Sequence, residues 1–276
     1  MLRFLRVAMR LVGILIVGVA GFTTVLVLSP LMRPFPRLHE RLLIPPRRLF
    51  LRSQRRLFGL RIEVLGEPIP PRPFLALANH QSYLDILVLG GVLPTAFISK
   101  AEVARWPFIG WLATLASTAY VHRQAPKKRV AEMRSLHGRL KIGNCITGFP
   151  EGTTGSGPDL MHLRTGLFEV AREADVPLLP IAIRYLTREG RELTPEERPT
   201  FAWWGASPIG AHVKHLLFSR GGLARVVIGK PVPPPHPQRR ELMHAVGAEL
   251  RELLEASRPA DDALRAGERA SVAPPA

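Results

Sequence analysis

The sequence predicts an α/β fold: a mixed, largely parallel sheet of about six or seven strands, flanked by helices. From residue 60 onwards, short apolar runs typical of buried strands alternate with longer periodic segments typical of helices. The strand-like runs lie near 62–65, 74–78, 96–99, 178–184 and 224–229. The helical segments lie near 82–92, 126–141, 162–174 and 237–257. A chain of 276 residues can hold one such domain and an appendage.

The appendage is predicted at the N-terminus, where the segment 11–32 carries no charge. A helix of this length can cross the hydrocarbon core of a bilayer, which indicates a membrane-embedded helical segment. Arginines stand on both sides of it, so the helix either spans the bilayer or dips with its neighbour into one leaflet. Residues 38–58 alternate apolar side chains with arginine, as an interfacial amphipathic helix would, with an expected break at Pro45-Pro46.

We therefore expect three parts. Residues 1–58 form a membrane anchor with a basic interfacial helix, 59–257 form the α/β domain, and 258–276 form a disordered tail rich in Ala, Pro and charge.

The formal net charge of +16 requires an anionic partner. The arginines gather beside the apolar segment, and no aromatic-interleaved nucleic-acid motif is present. This distribution predicts an anionic membrane as the partner and argues against nucleic acid. The single cysteine, Cys145, excludes an internal disulfide and a cysteine-based zinc site.

The turn 79–85, Asn-His-Gln-Ser-Tyr-Leu-Asp, joins a predicted strand to a predicted helix. A carboxylate at Asp85 can reach back to one imidazole nitrogen of His80 and leave the other as a general base. The alternative is a capping Asp beside a polar turn His. Ser82 is a candidate helix N-cap, and metal binding is not expected because no third ligand has a convincing spacing.

Three further stretches carry chemistry. The turn Phe149-Pro150-Glu151-Gly152-Thr153 follows a strand and can present backbone N–H groups with a carboxylate. Lys100 ends a strand, and Arg123 ends the β-like run 120–123. The run 176–183, Val-Pro-Leu-Leu-Pro-Ile-Ala-Ile, is an apolar strand entered through proline.

Together these stretches resemble the four blocks of the glycerolipid acyltransferases of the 1-acylglycerol-3-phosphate (lysophosphatidic acid) acyltransferase type. The family pattern is N-H-x4-D, a block ending in Arg, F-P-E-G, and V-P-x-x-P; all four occur here in order between residues 79 and 183. The resemblance implies a membrane-bound enzyme that moves a fatty acyl group from an acyl thioester to the hydroxyl of a lyso-lipid. The expected acceptor is 1-acylglycerol 3-phosphate, giving phosphatidic acid.

The resemblance also implies roles and surroundings. His80 would be the base and Asp85 its orienting partner, while Arg123, Glu151, Gly152, Thr153 and Lys100 would bind substrate. No cofactor is expected beyond the thioester of coenzyme A or acyl carrier protein. The larger number of arginines after the segment 11–32 favours a cytoplasmic C-terminal side. The expected location is therefore the bacterial inner membrane, with the catalytic domain on the cytoplasmic side.

Two positions depart from the family pattern. His122 replaces a commonly acidic residue, and Thr154 stands where many relatives carry arginine. The site then has one fewer cation, which opens a second acceptor, lyso-ornithine lipid. A third possibility is a catalytically silent, basic membrane-binding relative.

Overall fold

The computed structural model describes residues 2–32, 34–106, 110, 113, 118–122, 126–157 and 159–259. The helices are α1 (Leu2–Met32), α2 (Pro36–Leu57), α3 (Leu84–Val92), α4 (Pro126–Lys141), α5 (Gly166–Ala174), α6 (Ile209–Phe218) and α7 (Arg239–Ala256). The strands are β1 (Leu60–Gly66), β2 (Leu75–Ala78), β3 (Thr95–Lys100), β4 (Ala119–Val121), β5 (Cys145–Gly148), β6 (Leu178–Leu186) and β7 (Gly222–Ile228). Helix α6 is not among the predicted helices.

The seven strands form one sheet in the order β1-β7-β6-β2-β5-β3-β4. Every neighbouring pair is parallel except β6 and β7, which run antiparallel. The predicted mixed, largely parallel sheet is confirmed. Because β2, β3 and β5 lie together and run in the same direction, the residues that follow their carboxyl ends meet at one edge of the sheet.

Helices cover both faces of the sheet, and β2 shows how the chain separates them. Ala76 and Ala78 join a core built with α1, α2, α3 and α6, whereas Leu75 and Leu77 join a core built with α4, α5 and α7. Successive side chains of a strand point to opposite faces, so an apolar run without alternation is what a doubly covered strand needs.

Helix α2 corrects the expected break at Pro45-Pro46, because it is continuous from Pro36 to Leu57. Proline removes a backbone donor from a helix interior, which costs stability. Burial of Phe50 and Leu51 against the body of the protein offsets that cost.

The arginines of α2 also differ from the expectation that they all face lipid headgroups. Arg48 donates to the carbonyl of Val92 at 2.8 Å, and Arg52 Nε donates to the carbonyl of Gly91 at 2.7 Å. These carbonyls belong to the last two residues of α3. The C-terminal end of a helix leaves its last acceptors unpaired and carries partial negative charge. Part of the basic charge of α2 therefore serves to dock the helix on the sheet domain.

Helix α1 is the one described helix that is long and apolar enough to cross a membrane, judged by length and composition, over Leu2–Leu28 with mean hydropathy 2.6. It is not separate from the domain: Gly13 lies against Leu57, and Arg10 donates to the carbonyl of Leu217 at 2.6 Å. The rest of its surface exposes large apolar side chains, which is the surface that a membrane-associated helix needs.

Candidate active site

The turn after β2 is held in place from the neighbouring strand. Asn79 exchanges two hydrogen bonds with the backbone of Ile183 on β6: its Nδ2 donates to the carbonyl at 3.0 Å, and its Oδ1 accepts from the N–H at 2.7 Å. Gln81 Nε2 donates to the same carbonyl at 2.7 Å. Asn79 and Gln81 are therefore anchored to β6, which fixes the backbone of His80 between them.

The structure brings His80 and Asp85 together, a contact that their spacing allows. His80 Nδ1 lies 2.8 Å from Asp85 Oδ2, and the carboxylate is fully buried. The same oxygen accepts from the backbone N–H groups of Gln81 at 2.8 Å and Ser82 at 3.0 Å. Because Nδ1 faces an oxygen that accepts, Nδ1 carries the ring proton and Nε2 is left to accept one.

The expectation that Ser82 caps α3 through its side chain is wrong. Its Oγ is buried without a hydrogen-bond partner in the described part of the chain, and α3 has no side-chain cap. Asp85, in the first turn of α3, reaches back over the turn instead and takes the N–H of Ser82. A carboxylate accepts charge-assisted hydrogen bonds that are stronger than those of a hydroxyl, so Asp85 is the better acceptor for these donors.

Glu151, which follows β5, is buried and contacts the backbone of His80. Its Oε1 accepts the backbone N–H of His80 at 2.9 Å, while the carbonyl of His80 accepts the N–H of Gly155 at 2.8 Å. The ring of Phe149 stacks on the imidazole, with centroids 3.9 Å apart. Burial raises the pKa of Glu151 to about 7, against the opposing effect of the N–H groups of His80 and Met161. Glu151 thus connects its own turn, which follows β5, to the His80 turn, which follows β2.

His80 lines a cavity of about 590 Å³ at this edge of the sheet. Lys100, Gly152 and Thr153 line it too, so three of the predicted substrate-binding residues meet the predicted base. Thr154 is also part of the wall. Arg123 lies outside the described residues. His122 beside it bonds to Glu132, with Nδ1 2.5 Å from Oε1.

Much of the remaining wall is apolar or aromatic, and it includes Trp106, Tyr83 and Trp203. Trp203 is brought there by its backbone N–H, which donates to the carbonyl of Gln81 at 2.7 Å. A cavity of this size and polarity can hold an apolar chain beside a polar reacting group.

Two arginines that sequence reasoning missed also line the cavity. Arg164 lies between the Glu151 turn and α5, and its backbone N–H donates to the carbonyl of Pro150 at 2.8 Å. A Cβ at Gly152 would lie 2.8 Å from Arg164 Nε, so the glycine makes room for this side chain. Arg239, the first residue of α7, is the second. Arg164 could have been predicted from the sequence, because it is a cation that lies between the Glu151 turn and the helix that follows it.

Within the described residues, no cation site is formed by a group of three His, Cys, Asp or Glu side chains. None of the described residues that line the cavity is acidic. The cavity therefore joins a partly exposed His80, paired with a fully buried Asp85, to a wall with several cations, which suits proton transfer beside an anionic group.

Comparison with known proteins agrees with this geometry. Residues 61–184 match the family model described as Acyltransferase. A lyso-ornithine lipid O-acyltransferase of Rhizobium meliloti is 33% identical over 250 residues, which cover 86% of this chain and 85% of that protein. A 1-acyl-sn-glycerol-3-phosphate acyltransferase of Neisseria gonorrhoeae is 33% identical over 50% of this chain and 54% of that one.

A crystal structure of the 1-acyl-sn-glycerophosphate acyltransferase of Thermotoga maritima shares the fold, with a TM-score of 0.58 and 20% identity over 90% of this chain and 97% of that chain. The chain belongs to the acyltransferase family that includes the 1-acyl-sn-glycerol-3-phosphate acyltransferases. It is an acyltransferase of lyso-lipids, and its apolar N-terminal helix indicates association with a membrane.

Proposed function

We propose that this protein transfers a fatty acyl group from an acyl thioester to the free hydroxyl of a lyso-lipid, with His80 as general base and Asp85 as its orienting partner. The observation that carries the proposal is the 2.8 Å contact between His80 Nδ1 and the fully buried Asp85, on the wall of a large cavity. The contact leaves Nε2 as the proton acceptor.

The reaction needs no nucleophile from the protein, because the thioester is already activated. Nε2 of His80 takes the proton of the lyso-lipid hydroxyl as its oxygen attacks the thioester carbonyl. The carbon–sulfur bond then breaks, and the leaving thiolate takes the proton from the imidazolium. Asp85 stabilises the imidazolium between these two steps, as the carboxylate of a hydrolase triad does.

We propose lyso-ornithine lipid as the acceptor. Relatives that carry this name match the chain over most of its length, whereas the phosphate-acylating relative of Neisseria gonorrhoeae matches about half of it. Thr154 supports the same choice, since it replaces the arginine that would add a cation for a phosphate.

A second acceptor, 1-acylglycerol 3-phosphate, is supported by one observation. Lys100, Arg164 and Arg239 all line the cavity, and no acidic side chain does so among the described residues. A phosphate monoester carries more negative charge than the carboxylate of an ornithine headgroup, so it gains more from such a wall.

The remaining parts of the proposal follow from the chemistry. The donor is the thioester of coenzyme A or of acyl carrier protein, and no resident cofactor is required. The protein works at an anionic membrane, which we propose to be the bacterial inner membrane with the catalytic domain on the cytoplasmic side. The exposed apolar side of α1 supports membrane attachment.

The test uses the purified full-length protein in vesicles containing anionic lipid. Each thioester is offered with a panel of lyso-lipids that includes lyso-ornithine lipid and 1-acylglycerol 3-phosphate, and the products are identified by mass spectrometry. We expect the diacyl ornithine lipid to form fastest and His80→Ala to form almost none. No acylated product from any lyso-lipid would exclude the proposed function, while faster formation of phosphatidic acid would select the second acceptor.

A further inference from the structure

The carboxylate of Asp85 has two oxygens, and the dyad uses one of them. Oδ2 accepts from His80, Gln81 and Ser82. Oδ1 accepts from the phenol of Tyr185, at 2.7 Å. Tyr185 comes from the C-terminal half of β6, a hundred residues along the chain, so nothing in the local turn sequence supplies this contact.

Tyr185 is built into the core as a fixed donor. It is only 3% exposed, and its ring stacks on Phe201 with centroids 5.7 Å apart and an angle of 14° between the planes. Burial raises the pKa of Tyr185 well above its usual value, and the neighbouring carboxylate of Asp85 adds to the effect. The phenol therefore stays protonated and donates its proton to Oδ1.

We propose that Tyr185 is a positioning residue of the dyad: it holds the second oxygen of Asp85 and thereby fixes the orientation and charge distribution of the carboxylate that faces His80. This inference rests on the proposed function of the dyad. The phenol does not touch the reacting atoms. It acts through Asp85, because a carboxylate with one unbound oxygen can rotate about its last bond and present Oδ2 less well to the imidazole.

The other polar and charged groups that the structure describes near the dyad do not duplicate this contact. Glu151 bonds to the backbone N–H of His80 and not to Asp85. The phenol of Tyr83 bonds to a different histidine, at 2.9 Å. On the face where α2 packs against α3, Arg48 and Arg52 donate to carbonyls at the far end of α3.

Tyr185→Phe keeps the ring and its stacking and removes only the donor. The charge of Asp85 is then less dispersed, so protonated forms of the dyad become more favourable and the base is free only at higher pH. We expect the acid limb of the pH profile of kcat/KM to move to higher pH, and kcat/KM at neutral pH to fall about tenfold, the scale of one charge-assisted hydrogen bond. The KM values for both substrates should change little.

Phe201→Leu is the matched control, since it disturbs the same ring stack and leaves the phenol in place. It should lower the unfolding temperature without moving the acid limb. Fluorination of the ring at position 185 makes the phenol a stronger donor and should move the acid limb to lower pH. In a His80→Ala background, Tyr185→Phe should have almost no further effect on residual turnover, since its route through the dyad is gone.

An acid limb unmoved by both the Phe and the fluorotyrosine substitutions would overturn the inference and leave Tyr185 a packing residue. So would an equal loss of turnover from Tyr185→Phe with and without His80. A readout independent of acyl transfer separates this outcome from failure of the proposed function. The imidazole signal of His80, assigned by its loss in His80→Ala, should titrate at higher pH in Tyr185→Phe even in a protein that transfers no acyl group.

Discussion

The dyad and the cationic part of the cavity wall are held in opposite ways. In the dyad, both oxygens of Asp85 have a donor and the carboxylate is fully buried. In the cationic wall, Arg164 is exposed, and its guanidinium has no hydrogen bond or ion pair to any residue that the structure describes. The dyad is therefore fully hydrogen-bonded before a substrate arrives, whereas Arg164 still has donors for a substrate.

This difference separates chemistry from selection. A base must be oriented before the reaction, because reorientation during the reaction would add to the barrier. A headgroup site can leave a cation in water until an anion replaces that water. Substitutions in the dyad should therefore lower kcat, and substitutions in the cationic wall should raise the KM of the acceptor.

The largest effect is expected at the dyad. His80→Ala should lower kcat by about a hundredfold or more, the usual scale for loss of a general base, with a small change in KM. Asp85→Asn should also be severe, because it removes the charge that stabilises the imidazolium. Steady-state kinetics of the singles and the double variant are the measurement. A double variant far worse than either single would mean that the two residues act independently.

The next largest effect is expected at Arg164, in the cationic wall of the cavity. Arg164→Gln should raise the KM of the acceptor about ten- to a hundredfold, the loss of a hydrogen bond between charged groups, and leave kcat nearly unchanged. Arg172→Gln is the control, because Arg172 is a nearby exposed arginine of α5 that pairs with Glu169 and does not line the cavity. Equal KM values in the two variants would remove Arg164 from the acceptor site.

Glu151 is buried and bonds to the backbone of His80, and its effect should appear in stability. Its pKa is about 7 in the folded chain, above the ordinary value of 4.5, so the unfolded chain ionises first. The contribution of protonated Glu151 to folding stability is fully present below pH 4.5 and is lost as the pH rises to 7. Glu151→Gln removes this penalty and should gain about 1–3 kcal/mol of unfolding free energy relative to wild type between these pH values. Urea denaturation at pH 4.5 and pH 8 measures it; a gain that does not grow with pH would contradict the shift.

The smallest effect is expected at Thr154, which lines the cavity at the position where the family resemblance implies an arginine. Thr154→Arg should shift preference several-fold towards 1-acylglycerol 3-phosphate relative to lyso-ornithine lipid, since a dianion gains more from an added cation. Competition between the two acceptors, with wild type and variant side by side, gives the ratio. An unmoved ratio would show that position 154 does not distinguish the headgroups.

Most of the architecture was accessible from the order of residues. Short continuous apolar runs predict the strands, because a strand that is buried on both faces needs apolar side chains at successive positions. The longer periodic segments between these runs predict most of the helices. The residues at which helices begin and end were harder to predict. The helix expected from residue 162 begins at Gly166, since Arg164 is held by the carbonyl of Pro150 on the preceding turn. Helix α2 runs through two prolines because its neighbours bury its apolar side chains.

The sequence by itself placed Asp85 within reach of His80, since both lie in one strand-to-helix turn, and the family resemblance added their roles as base and orienting partner. The sequence also placed Glu151 in a turn after a strand, and the structure brings this turn to His80 because the parallel strands β2 and β5 end at the same edge. Only the tertiary structure decided that Tyr185 completes the carboxylate and that Arg164 and Arg239 face the same cavity. These contacts join residues far apart in the chain through the packing of whole strands and helices, and no local spacing encodes the distance between them.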